Sequence, residues 1–374
     1  MIYPHMRIIR GGGKEMGVDI QTKLRLALGS MKDHASIGKA LVYNHDGKPF
    51  SDIEIAVLRA TGHDNGPIED KYMHEILFLV SNSPGSVPFL AERISRRLCK
   101  TRDCLVALKT LSLIHRLLRG GNRCFERELR NSHVSGHLQM SATNCFRNSS
   151  FSFLRSYAAY LEERVGWAIT QAGKLEPVMF NGLEFGCYEE KSVDMVFRKL
   201  PKCQAFMDRV LDCSPIDVVP PADNLAQAAM GNTLKESFQV YIMYCEVIEI
   251  LINMFFDLTT PARTLACDIL KRASRQSKEL ADLYETCKRV MENKNLEYPR
   301  VQIITMDHVL ALEQCSSFMS TSSSTGKQSE KEGDEDDTSS SSNQFSFTLE
   351  TKISKVWVVF DEDDGELQVP VGIV

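Results

Sequence analysis

An all-α array of about ten helices is the fold class this sequence predicts, and three observations carry it. Segment after segment between residues 18 and 315 repeats its apolar side chains every three or four positions, the period of a helix buried on one face. Short turns rich in Gly, Pro, Asn and Asp separate these segments. One stretch, Asp103 to Leu118, is apolar nearly all round, as expected of a helix enclosed by neighbours. Nothing before residue 316 requires a sheet.

Residues 1–21 read as a flexible leader, although helical spacing already begins at Val18 and runs to Val42, with Leu24, Leu26, Ala27, Leu28 and Met31 between Lys23, Arg25 and Lys32. Ser51-Asp52-Ile53-Glu54 can cap a second helix, which His63-Asp64-Asn65-Gly66-Pro67 stops. A third begins at Glu69 or Asp70 and ends at Ser83-Pro84-Gly85, and Ser86-Val87-Pro88 starts a fourth with proline in its first turn. After the apolar fifth, further helices are expected at about 122–131, 151–171, 190–212, 224–257, 261–292 and 306–315. Beyond Cys315 the composition turns to Ser, Thr, Gly and acid. Residues 316–350 cannot offset their ordering entropy and are expected to be disordered. In 351–374 an apolar patch, Val356 to Phe360, precedes acidic Asp361 to Asp364 and then Leu367 to Ile373. It reads equally well as a hairpin or as a displayed recruitment peptide carrying Trp357 and Phe360.

Composition sets limits on function. At 43% hydrophobic and 25% charged residues the 374-residue chain is globular in character. Its net charge of −5 is uneven: residues 1–130 hold 21 Lys and Arg against 14 Asp and Glu, so the front end can meet an anionic surface. The most apolar window, Val240 to Leu258, is interrupted by Glu246, Glu249 and Asp257, and Met1 to Gly13 lacks the apolar core of a secretory signal. Eleven cysteines without a C-x-x-C pair read as reduced thiols of a cytoplasmic protein.

No catalytic constellation, metal centre or cofactor motif emerges. Gly11-Gly12-Gly13-Lys14 has Glu15 where a phosphate loop needs Ser or Thr. His133 and His137 have a zinc-compatible spacing, but Ser135-Gly136 between them is poor helix and no acidic third ligand is near. His115 lies in an apolar helix and reads as a hydrogen-bonded core residue. Nucleic-acid binding is disfavoured, because the basic residues are not interleaved with aromatics. What remains is charge at helix ends: Lys23, Arg25, Lys32, Arg59 and Lys71-Tyr72, which antiparallel packing can gather into an edge for a phosphorylated headgroup.

Three ordered blocks carry a family resemblance: Lys23-Leu-Arg-Leu-Ala-Leu-Gly-Ser-Met-Lys-Asp-His-Ala-Ser-Ile-Gly38, Ser51-Asp-Ile-Glu-Ile-Ala-Val-Leu-Arg-Ala-Thr-Gly-His63 and Ala107-Leu-Lys-Thr-Leu-Ser-Leu-Ile-His-Arg-Leu-Leu-Arg-Gly-Gly121. With Ser156 to Arg164 and Phe255-Phe-Asp257 they resemble, over about residues 22–315, the ANTH domain of the epsin/ANTH superfamily, and more narrowly plant clathrin assembly proteins. The resemblance implies a right-handed superhelical solenoid. It also implies binding of phosphatidylinositol 4,5-bisphosphate on a membrane surface, and a tail that recruits clathrin heavy chain and coat adaptors. A vesicle SNARE helix against the C-terminal helices is a further implication, with residence at coated pits, vesicles and the Golgi. The family's lipid motif maps onto Arg59, Lys71 and Tyr72, with Glu69 where the middle lysine belongs. Residues 316–374 contain no Asp-Leu-Phe, Asn-Pro-Phe or Asp-Pro-Phe peptide and no clear clathrin-box pattern. Two functions therefore follow: a phosphoinositide-binding adaptor of coated-vesicle budding, or a helical scaffold in vesicle traffic that has lost lipid binding.

Overall fold

The computed structural model describes residues 13–45, 50–64, 66–81, 83, 85–141, 152–179, 188–213, 224–291 and 295–322. They form α1 (Gly13–His45), α2 (Ser51–Ala60), α3 (Asp70–Ser81), α4 (Ser86–Lys100), α5 (Cys104–Gly120), α6 (Arg123–Val134) and α7 (Ser152–Arg164). A hairpin of β1 (Trp167–Ile169) and β2 (Leu175–Pro177) follows, then α8 (Tyr188–Asp212), α9 (Asn224–Asn253), a 3-10 turn (Phe255–Asp257), α10 (Thr260–Val290) and α11 (Met306–Ser322). The all-α class holds. Trp357 and Phe360, with most of the predicted linker, lie outside the described residues.

The apolar-all-round segment is the hub. Helix α5 packs against α2, α3, α4, α7 and α9, and buries Val106, Ala107, Leu111, Leu113, Ile114 and Leu117 completely. Its start is fixed by Asp103, whose side chain accepts from the Leu105 N–H at 2.9 Å. From this hub α7, α8 and α9 pack in succession, α10 packs against α8, and α11 lies on α10.

Several sequence expectations need correction. Helix α1 begins at Gly13, inside the predicted leader, and α11 continues past Cys315 to Ser322. Ser51 does not cap α2. The cap position is Phe50, with φ 73° and no side-chain capping bond, and Ser51 is the first helical residue. The helix expected over 151–171 ends at Arg164, and a sheet follows where none was expected. Trp167, Ala168 and Ile169 extend the apolar spacing of α7, but Gly166 interrupts it and Gly173, at φ 74°, turns the chain back. The strands pair antiparallel, Trp167 opposite Pro177 and Ile169 opposite Leu175. Arg130 and Arg164 donate to the Trp167 carbonyl, and the indole packs at 4.8 Å from the Phe206 ring. His133 and His137 do not share a helix, since α6 stops at Val134 and Gly136 sits at φ 77°.

A buried ionic knot ties three helices together. Glu236 of α9 accepts at one oxygen from His115 Nε2 of α5 at 3.0 Å and from Arg164 Nε of α7 at 2.9 Å, and also from the Tyr160 hydroxyl. Tyr157 OH lies 2.8 Å from His115 Nδ1. Burial pushes the Glu236 carboxyl up, but the His115 ring and the Arg164 guanidinium outweigh it and hold the group well below the usual carboxylate range.

Candidate anion-binding site

Four cations of α4 repeat at helical spacing: Arg93, Arg96, Arg97 and Lys100 fall at i, i+3, i+4 and i+7, so they share one side of the helix. Arg25 and Lys32 of α1, seven residues apart, do the same. The structure brings the two sets together around a cleft of about 1160 Å³, with Arg102 in the link before α5. Seven Arg and Lys side chains line it. Glu54 and Asp103 are the carboxylates among the lining residues.

Neighbouring acids orient part of this set. Asp103 pairs with Arg25 at 2.7 Å, and Glu54 lies 3.4 Å from Arg93. Asp33, on the inner side of α1, accepts from Arg97 Nη2 at 3.0 Å and from both the N–H and the ring Nδ1 of His63. Burial raises the Asp33 pKa, but the His63 and Arg97 hydrogen bonds prevail and hold it below the ordinary value. Arg97 also donates to the Thr61 carbonyl at 2.7 Å, closing the end of α2. Lys32, Lys100 and Arg102 are exposed and make no ion pair among the described residues. They are the cations open to a ligand.

Close docking of α1 depends on Gly29. A Cβ at this position would stand 2.4 Å from Cβ and Cγ of His63, so only glycine lets the helix reach the ring and set Asp33 against it. Gly29→Val is expected to displace α1: amide exchange across residues 23–42 should accelerate at least tenfold while α5 stays protected. Unchanged exchange in α1 would show that the contact is dispensable.

The predicted lipid residues lie on a different edge. Arg59 closes α2 and approaches Glu75 of α3 at 3.6 Å. Lys71, one turn before Glu75, is held by Glu69 at 2.7 Å with its Nζ 4.8 Å from the Tyr72 ring centre, and Tyr72 is half-buried against the core. Arg59 and Lys71 thus reach one α2–α3 edge, each beside its own acid. The Glu69 hydrogen bond raises the Lys71 pKa. The sequence reading had Arg25 and Lys32 but missed the α4 quartet and Arg102, although the spacing of the quartet was visible.

The described residues contain no helix long and apolar enough to cross a membrane. Comparison with known proteins now places the fold. The family model of the ANTH domain matches residues 52–317. The chain belongs to the ANTH domain family. An Arabidopsis thaliana protein that bears the name of a clathrin assembly protein is 55% identical over 363 residues, covering 94% of this ANTH chain and 97% of its own length. A second Arabidopsis protein so named is 31% identical, covering 78% of this chain and 55% of its own length, and a third is 32% identical with 76% and 51%. The chain therefore spans about half the length of these two. The ENTH domain from epsin-2, solved in complex with phosphatidylinositol 4,5-bisphosphate, has a TM-score of 0.40 at 13% identity, covering 67% of this chain and 96% of that domain. The ANTH match begins at residue 52, so Arg25, Lys32 and Asp33 of α1 lie outside it.

Proposed function

We propose that this ANTH chain is a non-enzymatic membrane adaptor of clathrin-coated vesicle budding that binds phosphatidylinositol 4,5-bisphosphate through the α1–α4 cleft. The cleft is the observation that carries the reading. A polyphosphorylated headgroup needs several convergent cationic donors, and Arg forks match phosphate oxygens bidentately. Here Lys32, Arg96, Lys100 and Arg102 are exposed beside Arg25, Arg93 and Arg97, which carboxylates hold in place. Such binding is salt-sensitive, because exposed charges are screened within about 8 Å at physiological ionic strength. Partners of the same reading are clathrin heavy chain and coat adaptors, with a vesicle SNARE helix on α10 and α11. Its sites of action are coated pits, cytoplasmic vesicles and the Golgi.

The α2–α3 edge contributes little in this reading, because Glu69 and Glu75 stand where a headgroup would need open cations. Glu69→Lys exchanges an anion for a cation and frees Lys71. At roughly 1 kcal/mol per basic residue near an anionic surface, vesicle affinity should rise about tenfold in low salt. Co-sedimentation with bisphosphoinositide vesicles measures this, and no gain would mean that Glu69 does not face the membrane. The neutralised edge also favours a second reading, a scaffold in vesicle traffic without lipid affinity. Vesicle flotation with and without the phosphoinositide separates the two.

A further inference from the structure

Helix α1 is turned inside out. Between Lys23 and Val42 its buried residues are Gly29, Asp33 and Ala40, small or polar groups on the side docked against the domain. The large apolar side chains Leu24, Leu28, Met31 and Val42 lie on the opposite side, each more than half exposed. A surface helix ordinarily turns such residues inward, and a contiguous apolar face left outside marks an interaction surface. With Ala35 and Gly38, which are also exposed, the four follow one another at steps of four, three, four, three and four residues. That alternation is the seam of a helix whose side chains fit between those of a second helix, and here it runs for about 27 Å.

The rows beside the seam say what covers it. One is Arg25, Lys32 and Lys39, seven residues apart, and the other is Ala27, His34 and Leu41, so neither flank carries an acid. Flanking charges select the partner of a helical seam. A second copy of α1 would bring the same cations and no acid to meet them, whereas a helix with an acidic edge answers all three. Gly38 is an independent sign of close approach from outside: a Cβ there would meet nothing within 4 Å, so no contact inside the chain calls for glycine. Together with Ala35 it leaves a notch that accepts a large side chain of an incoming helix. A bilayer surface is anionic too, but residues 23–42 hold no aromatic anchor, and the notch interrupts the face that lipid would cover.

We propose that the open face of α1 docks an amphipathic helix of a partner protein, one with large apolar residues at alternating three- and four-residue steps and acidic residues along the edge that meets Arg25, Lys32 and Lys39. The inference goes beyond the adaptor reading and does not depend on lipid binding. Leu28 and Ala35 reach the rim of the cleft, whereas Leu24, Met31 and Lys39 do not line it, so substitutions at these three separate the two surfaces.

The test is a fluorescence-anisotropy titration of the full chain with a labelled peptide of three heptads that carries Leu at the seam positions and Glu at both flanking positions. A Lys-flanked version and a version of the same composition in scrambled order are the controls. The ordered Glu-flanked peptide should bind at least tenfold tighter than either. Leu24→Ser with Met31→Ser should weaken it more than tenfold, with an unchanged melting curve and vesicle flotation within twofold of wild type, and Lys39→Glu should weaken it at least threefold. The proposal is overturned if wild type ignores the ordered peptide, if the scrambled peptide binds as tightly, so that charge alone is read, or if the Leu24/Met31 variant retains binding. Loss of vesicle flotation by that variant with the peptide still bound would assign the face to the membrane, and a wild-type dimer that the same variant dissolves would assign it to a second copy; either result overturns it equally.

Discussion

Glu236→Ala is expected to destabilise the domain by about 3–5 kcal/mol, the usual cost of leaving a buried cation without its counter-ion. The carboxylate is the shared acceptor for His115, Tyr160 and Arg164, all fully buried, so its removal leaves three groups of α5 and α7 unanswered. Arg164 would keep only the Trp167 carbonyl, at Nη1, since its Nη2 already lacks a partner. Urea unfolding monitored by far-UV circular dichroism reads the change. A loss below about 1 kcal/mol would show that water or a rearranged side chain replaces the carboxylate. Acid gives an independent measure. Because Glu236 is held well below the ordinary carboxylate value of about 4.3, its contribution is complete above that pH and is lost as the pH falls further. Glu236→Gln should flatten stability against pH below about 4.

Helices were legible because their period is set by which residues must be buried, and α5 was legible as the hub because it is apolar nearly all round, its basic residues confined to the narrow stripe of Lys109, Arg116 and Arg119. The hairpin was not. Its strands are three residues long, too short for alternation to register, and Trp167 and Ile169 are apolar enough to continue α7. Positive φ at Phe50 likewise has no sequence signal, since nothing about phenylalanine favours it. The cleft was half legible. Arg25 and Lys32 stood out on α1, whereas the α4 cations alternate with Leu90, Ile94 and Leu98, which dominate the reading of that helix as a core element. Joining residues 25 and 102 in one wall requires tertiary packing, which no local pattern encodes.

Reversing two cleft cations, Arg96→Glu with Lys100→Glu, should lower affinity for bisphosphoinositide vesicles more than tenfold. Each change alters the local charge by two, and each removed cation is worth roughly 1 kcal/mol at an anionic surface. The two side chains are exposed and lie on the open face of α4, so the fold should tolerate the change: Arg96 contacts Glu92 on its own helix at 3.4 Å, and Lys100 makes no ion pair among the described residues. Lys32→Glu, from the opposite wall, should add to the loss. Arg59→Glu with Lys71→Glu is the contrasting pair, with an expected loss several-fold smaller than that of the cleft pair, because both cations already face acids.

The most direct measurement is flotation of wild type and these two double variants with phosphatidylinositol 4,5-bisphosphate vesicles, beside phosphatidylserine vesicles of matched charge. Wild type and the Arg59/Lys71 variant should float with the phosphoinositide and far less with phosphatidylserine, whereas the Arg96/Lys100 variant should remain at the bottom of the gradient. Flotation of the Arg96/Lys100 variant as efficient as wild type, or failure of wild type to distinguish the two lipids, would contradict the cleft as the membrane site.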